Sequence, residues 1–107
     1  MIYHLTTSKI WEEALRLEIY ITSSLKTEGF IHCSFRDQVI QSANLHFKEE
    51  SELILLHIVD KRLGDLLKIE PSRNGELFPH IYGPLPLEAI EDQTILQRNN
   101  QTQLFQW

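Results

Sequence analysis

The run Glu52–Val59, ELILLHIV, limits what this chain can fold into more than any other segment. A strand with one wet face alternates apolar and polar residues, whereas a continuous apolar run of this length suits a strand covered on both faces. The sequence therefore predicts a central strand here. The run Leu53–Val59 is interrupted by His57 and is far too short to cross a bilayer, so no membrane partner is expected.

The other elements follow from local pattern. Ile2–Thr6 alternates Ile2, His4 and Thr6 with Tyr3 and Leu5, which reads as a strand. Ser8–Leu17 reads as a helix capped by Thr7 or Ser8, with Ile10, Trp11, Ala14 and Leu15 on its apolar face. Tyr20–Glu28 is polar and reads as a loop with a short helical turn, and Gly29–Cys33 as a short strand. Ser34-Phe35-Arg36-Asp37 matches a capping box, so a second helix is expected from there to about Lys48, with Val39, Ile40, Ala43 and Phe47 inward. Asp60–Leu66 suits one helical turn, Leu67–Glu70 a short strand, and Pro71–Gly75 a loop. Leu77–Tyr82 reads as a strand with Pro79 at its start or on a sheet edge, Leu87–Glu91 as a helical turn, and Thr94–Gln97 as a last strand. Two helices set among strands, with strands crowding the second half, give an α+β domain over residues 1–98. Residues 99–107, rich in Asn and Gln, form a polar tail expected to fray unless Phe105 and Trp107 dock.

With 107 residues the chain makes about one domain. It has a single cysteine, Cys33, so no internal disulfide forms, and with no basic-then-apolar leader at Met1 a cytoplasmic location is expected. The net charge of −5 and the scattered Lys and Arg argue against a general nucleic-acid binder.

Candidate chemistry concentrates in Gly29–Ser34, GFIHCS, and Phe78–Gly83, FPHIYG. Each sets a histidine among large apolar residues beside a glycine, so His32 and His80 face one way and their apolar neighbours the other. With His4 on the first strand, three histidines are candidates for acid–base or binding roles, and His80 for a general acid or base. The competing reading of each is a buried ring satisfied by a backbone carbonyl. His57 suits a structural role, and His46 is assigned none. Ser34 is a candidate nucleophile or ligand contact as well as a helix cap. Glu70, at a strand end before Pro71, is a candidate catalytic or ribose-binding carboxylate against the alternative of a solvated charge. Cys33 points away from its neighbour His32 and reads as a core residue. The sequence has no HExxH, CxxC, Walker loop, GxGxxG or GxSxG, so no metal site is assigned, although three histidines are a sufficient set for zinc if they converge.

The pair GFIHCS and FPHIYGPL, with Gln38 and Asn44 on the helix between them, resembles the domain-of-unknown-function 952 family over nearly the whole chain. That family is grouped by fold with the ADP-ribosyltransferase superfamily. The resemblance implies a split, mostly antiparallel β-sheet with two main helices and a cleft that binds NAD in active members. Carried over by position, it implies His4 as the first-strand residue that holds the nicotinamide-side ribose or amide. It implies Ser34, or His32 beside it, as its support, and Glu70 as the carboxylate that stabilises positive charge on the ribose. Tyr82 is then expected to stack on a ring, and Gln38 and Asn44 to contact the ligand. The expectation is thus an ADP-ribosyltransferase-like enzyme or degenerate enzyme acting on NAD or a related nucleotide. The alternatives are a non-catalytic module binding a small metabolite or a protein, and a metal-dependent hydrolase using the three histidines.

Overall fold

The computed structural model describes residues Met1–Trp107. In chain order the elements are β1 (Ile2–Thr6), α1 (Ser8–Leu17), β2 (Ile19–Tyr20), α2 (Ser23–Thr27), β3 (Ile31–His32) and α3 (Val39–His46). There follow β4 (Glu52–Ile58), β5 (Leu67–Pro71), β6 (Leu77–Ile81), β7 (Leu85–Pro86) and β8 (Ile90–Gln97). The class is α+β, and every strand pair is antiparallel. One three-stranded sheet has the order β1-β4-β8, a second β3-β6-β5, and β2 pairs with β7 as a short ribbon. No helix is long and apolar enough to cross a membrane.

β4 is the central strand of the first sheet, as its composition requires. One core packs Ile54, Leu56 and Ile58 with Ile2, Trp11 and Ala14, and with Ile31 and Ile81 from the second sheet. A second core packs Leu53 and Leu55 with Tyr3, Leu5 and Leu96, and with Val39 and Ala43 of α3. The first sheet is thus covered on both faces, which explains why β1 is buried along its whole length despite its alternating sequence. Its histidine and threonine are drawn into the interior along with Ile2.

β1 is joined to the second sheet as well. Tyr3 and Ser34 exchange two backbone hydrogen bonds, Tyr3 N–H to Ser34 O at 2.9 Å and Ser34 N–H to Tyr3 O at 2.8 Å. The free edge of β1 is therefore closed by the chain leaving β3.

Several expectations need correction. Thr7 caps α1 through the Ile10 amide, but of the predicted face only Trp11 and Ala14 are buried, and Ile10 and Leu15 are exposed. Ser34 does not cap a helix. Its backbone is committed to β1, a 3-10 turn covers Arg36–Gln38, and α3 starts at Val39 and ends at His46, short of Lys48. The Gln38 side chain takes over the capping, accepting from the Phe35 amide at 2.9 Å. Pro79 lies in the middle of β6, the central strand of its sheet, rather than at a start or edge. It is tolerated because β3 is only two residues long. Cys33 N–H donates to Pro79 O at 3.0 Å, and the return bond that proline cannot make falls just past the end of β3. β8 begins at Ile90, four residues before the expected start.

Of the two residues in 99–107 that could dock, Phe105 does so. Phe105 is 2% exposed within the second core, and Asn44 clamps its backbone. Asn44 Oδ1 accepts from Phe105 N–H at 2.8 Å, and Nδ2 donates to Phe105 O at 3.4 Å. Trp107 lies edge-on to Tyr3 beneath the Arg36 guanidinium. Phe105→Ala is expected to cost about 3–5 kcal/mol in urea unfolding at neutral pH, and Trp107→Ala, with its ring half exposed, under about 1 kcal/mol. Equal, small losses for both would show that the tail adds nothing to the core.

Candidate functional site

His4 projects from β1 into the first core side of the sheet and uses both ring nitrogens within the protein. Nδ1 lies 2.6 Å from the His32 carbonyl, which only accepts, so Nδ1–H is the donor. Nε2 lies 2.7 Å from Tyr20 Oη, and Tyr20 Oη lies 2.8 Å from Thr6 Oγ1. Burial pushes the His4 pKa down to about 4, so the ring is neutral at pH 7. Nε2 is then an acceptor to which Tyr20 O–H can donate, with Thr6 Oγ1 within hydrogen-bond reach of the same phenol oxygen. Burial pushes the Tyr20 phenol up, and the Cys33 thiol too, so neither is an anion near neutrality. The predicted first-strand histidine is a buried tie between β1, β2 and β3.

A cleft of about 750 Å³ opens beside this tie. One wall comes from β1 and the stretch from Tyr20 to Ser24, the other from His32–Ser34, α3 and the turn at Ser72 and Arg73. Gly29, at φ 89°, turns the chain out of α2 and into β3, which sets His32 at the mouth. Ser42 and His46, four residues apart on α3, share the face that lines the cleft. Ser34 Oγ reaches to 3.4 Å of Ser42 Oγ, and Arg73 reaches across from the turn after β5 to donate to His46 Nε2 at 3.1 Å. Burial first, then the charges of Arg73 and His32, holds the His46 pKa below its ordinary value. None of the fifteen Asp and Glu residues lines the cleft, although the chain carries a net charge of −5.

Glu70, His80 and Tyr82 converge elsewhere, on the outer face of the second sheet. His80 Nδ1 donates to Glu70 Oε1 at 2.8 Å, and Tyr82 O–H donates to the same oxygen at 2.5 Å. The Tyr82 bond first, and His80 second, holds the Glu70 carboxyl below the usual carboxylate range, and the shared proton raises the Tyr82 pKa. Phe30 stacks on His80 with ring centroids 4.1 Å apart, and Lys68 Nζ lies 5.0 Å from the Tyr82 ring centre. His80 Nε2 is buried with no hydrogen-bond partner. His32 joins the two groups: its ring lies 5.6 Å from that of His80, its Nε2 meets Glu28 at 2.9 Å, and it lines the cleft.

The sequence candidates therefore divide. His4, His32 and Ser34 come together at the cleft, while Glu70, His80 and Tyr82 form the neighbouring cluster outside it. Gln38 and Asn44 are bound up in the fold, Gln38 also donating to Glu76 Oε1 and Leu77 O at 2.8 Å each. The three histidines do not assemble a metal site, since both His4 nitrogens are occupied and no group of three His, Cys, Asp or Glu ligands is gathered. Tyr20, Ser42, His46 and Arg73 are cleft residues that sequence reasoning missed. Ser42 and His46 carried a signal in their i, i+4 spacing. Arg73, in a turn about thirty residues from its partners, carried none.

The neutral burial of His4 has a pH signature. Its folded pKa lies below the unfolded value of about 6.5, so the unfolded chain binds the extra proton and stability falls as pH drops from about 6.5 to about 4. The expected loss from His4 between pH 7 and pH 4.5 is about 2–3 kcal/mol in urea unfolding. His46 adds slope of the same sign, so the His4 share is the difference between wild type and His4→Gln. Identical pH slopes for the two proteins would refute a neutral His4.

With this geometry in hand, the chain finds its relatives. A family model described as "Protein of unknown function (DUF952)" matches residues 5–93. No curated protein matches the chain. The crystal structure of protein CC0527 from Caulobacter crescentus, a structural genomics target, is 29% identical and superposes with a TM-score of 0.89, covering 98% of this chain and 92% of that one. The solution NMR structure of CC0527 is 30% identical with a TM-score of 0.81, covering 92% and 86% respectively. His32, Ser34, Ser42, His46 and Arg73, with Glu70, His80 and Tyr82, all fall inside the matched span, and the chain belongs to the DUF952 family of proteins of unknown function.

Proposed function

We propose that the protein binds a small anionic metabolite in the cleft, with NAD or a related nucleotide as the ligand class. One observation carries this reading: the cleft excludes every carboxylate of an acidic chain while admitting Arg73, two histidines besides the buried His4, and a row of hydroxyls. Its volume of about 750 Å³ lies within the range of small-molecule sites. Phe47 and Phe78 supply apolar wall for a ring, and the hydroxyls of Thr22, Ser24, Ser34 and Ser42 supply donors and acceptors for a sugar or phosphate. The antiparallel sheets, split into separate groups, are compatible with the ADP-ribosyltransferase-like fold that the sequence resemblance implies.

Binding is favoured over transfer. Cleaving a nicotinamide–ribose bond builds positive charge that a carboxylate must face. Glu70, the candidate for that task, lies outside the cleft and is held by His80 and Tyr82. His32 contributes one edge of the ligand site, and Ser34 part of the same wall. In solution the protein is expected to be a small-molecule binder with no need of nucleic acid.

Thermal unfolding with and without millimolar NAD tests the reading. A ligand at one hundred times its Kd adds about 2.7 kcal/mol, which for a domain of this size is a rise in Tm on the order of 10 °C or more. The rise is expected to shrink in His32→Ala, whose half-exposed side chain leaves the core untouched. No nicotinamide release is expected over hours of incubation. Absence of a shift with NAD and with AMP would overturn nucleotide binding, and steady nicotinamide release would overturn the non-catalytic reading.

A further inference from the structure

Arg73 is placed unlike the other arginines of the chain. Arg16 pairs with Glu13, Arg62 and Arg98 donate to backbone carbonyls, and Arg36 lies over Trp107. Like Arg36, Arg62 and Arg98, Arg73 enters none of the ion pairs, but it is the one arginine that lines the cleft. Its Nη1–H donates to His46 Nε2 at 3.1 Å, its Nη2 points at Ser42 Oγ at 3.5 Å, and its guanidinium carbon lies 5.0 Å from the centre of the Phe78 ring. A guanidinium carries five N–H donors in a planar fork suited to oxyanions. Here the fork rests on a neutral lone pair and on a hydroxyl at the outer limit of hydrogen bonding. No carboxylate in the cleft competes for it.

We propose that Arg73, Ser42 and His46 form a subsite for a tetrahedral oxyanion of the phosphate or sulfate class, and that the anion is captured together with a proton on His46. The inference rests on the cleft being a ligand site and names the part of the ligand held at its Arg73 end. In the free protein Arg73 occupies the His46 lone pair. An arriving anion draws the guanidinium fork to its own oxygens, which uncovers Nε2. His46 then takes one proton from solvent and donates it in a hydrogen bond to the anion, while Ser42 O–H supplies a further donor and Ser34 stands behind it at 3.4 Å.

The charges around His46 give the sign. The groups that bear on it are Arg73 from the turn after β5 and His32 from β3, both of which oppose a positive ring, as burial does. An anion between Arg73 and His46 reverses that balance. Affinity therefore falls as pH rises through the His46 pKa of the complex, and by reciprocity the anion raises that pKa. A nucleotide phosphoryl group and free inorganic phosphate present the same chemistry to this subsite.

Sulfate is the probe of choice, because its charge stays constant where histidine titrates. The His46 ring proton is followed by NMR in the full chain across the pH range, with sulfate and with chloride at matched ionic strength. Sulfate is expected to raise the His46 pKa by about one unit or more. Arg73→Gln is expected to weaken sulfate binding about tenfold or more, with Arg73→Lys intermediate and wild-type Tm values confirming that both fold. His46→Gln is expected to bind sulfate with no pH dependence. An unmoved His46, or wild-type sulfate affinity in Arg73→Gln, overturns the subsite. If NAD binds while sulfate leaves His46 unmoved, the subsite falls and the nucleotide reading stands. If sulfate moves His46 and NAD does not bind, the subsite stands and the nucleotide reading falls. Tighter binding of AMP than of inorganic phosphate identifies a nucleotide phosphoryl group as the occupant, and the reverse order the free anion, and either order supports the subsite.

Discussion

The pair of backbone bonds between Tyr3 and Ser34 is the joint on which the structure depends. It holds the edge of β1 against the chain leaving β3 and so fixes two separate sheets at one distance and orientation. The His4 ring repeats that joint one layer deeper, reaching the His32 carbonyl on one side and the Tyr20 hydroxyl on the other. A buried polar side chain is tolerated only when its hydrogen bonds are made. The need to satisfy His4 therefore dictates where β2 and β3 must lie. The cleft lining from Tyr20 to Ser24 and from His32 to Ser34 follows from that placement.

Charge segregation is the second organising constraint. Acidic side chains dominate the chain, yet they lie on the outer surfaces or, as with Glu70, are tied to hydrogen-bond donors beside the cleft rather than in it. A concave site is partly shielded from solvent, so the sign of the few charges inside it counts for more than net charge. A net charge of −5 thus describes the exterior of this protein and misdescribes its cleft. The Glu70–His80–Tyr82 cluster, with the His80 Nε2 left bare under Phe30, adds a polarised network that meets the cleft at the His32 ring.

Pattern in the chain anticipated much of this, and the misses share a cause. The continuous apolar run at β4, the short extended pattern of β1 and the helical stripes of α1 and α3 are local signals, so those elements were readable, although β1 is buried on both faces where its alternation suggests one. The short β3 was readable within Gly29–Cys33, but the two-residue β2 was not, because a pair of residues has no period and is extended only by its partner. The capping box at Ser34 failed because the backbone there is already spent on Tyr3, and the cap passes to Gln38. Pro79 escaped its usual exile to sheet edges because its neighbour β3 is too short to require the missing donor. The Asn- and Gln-rich composition of the tail left open whether Phe105 docks, which depends on an amide on α3.

By itself, then, the sequence determined an α+β domain, its central strand, its long helices and the two histidine-bearing segments, because hydrophobic period and turn chemistry act over a few neighbouring residues. Only the tertiary structure decided which of those polar residues meet. It turned His4 inward as a neutral tie, set Glu70 and His80 apart from the cleft, and brought Arg73 across to Ser42 and His46 from a turn some thirty residues away. The reason is physical: a side chain's chemistry is set by burial and by partners distant in sequence, and no local pattern records them.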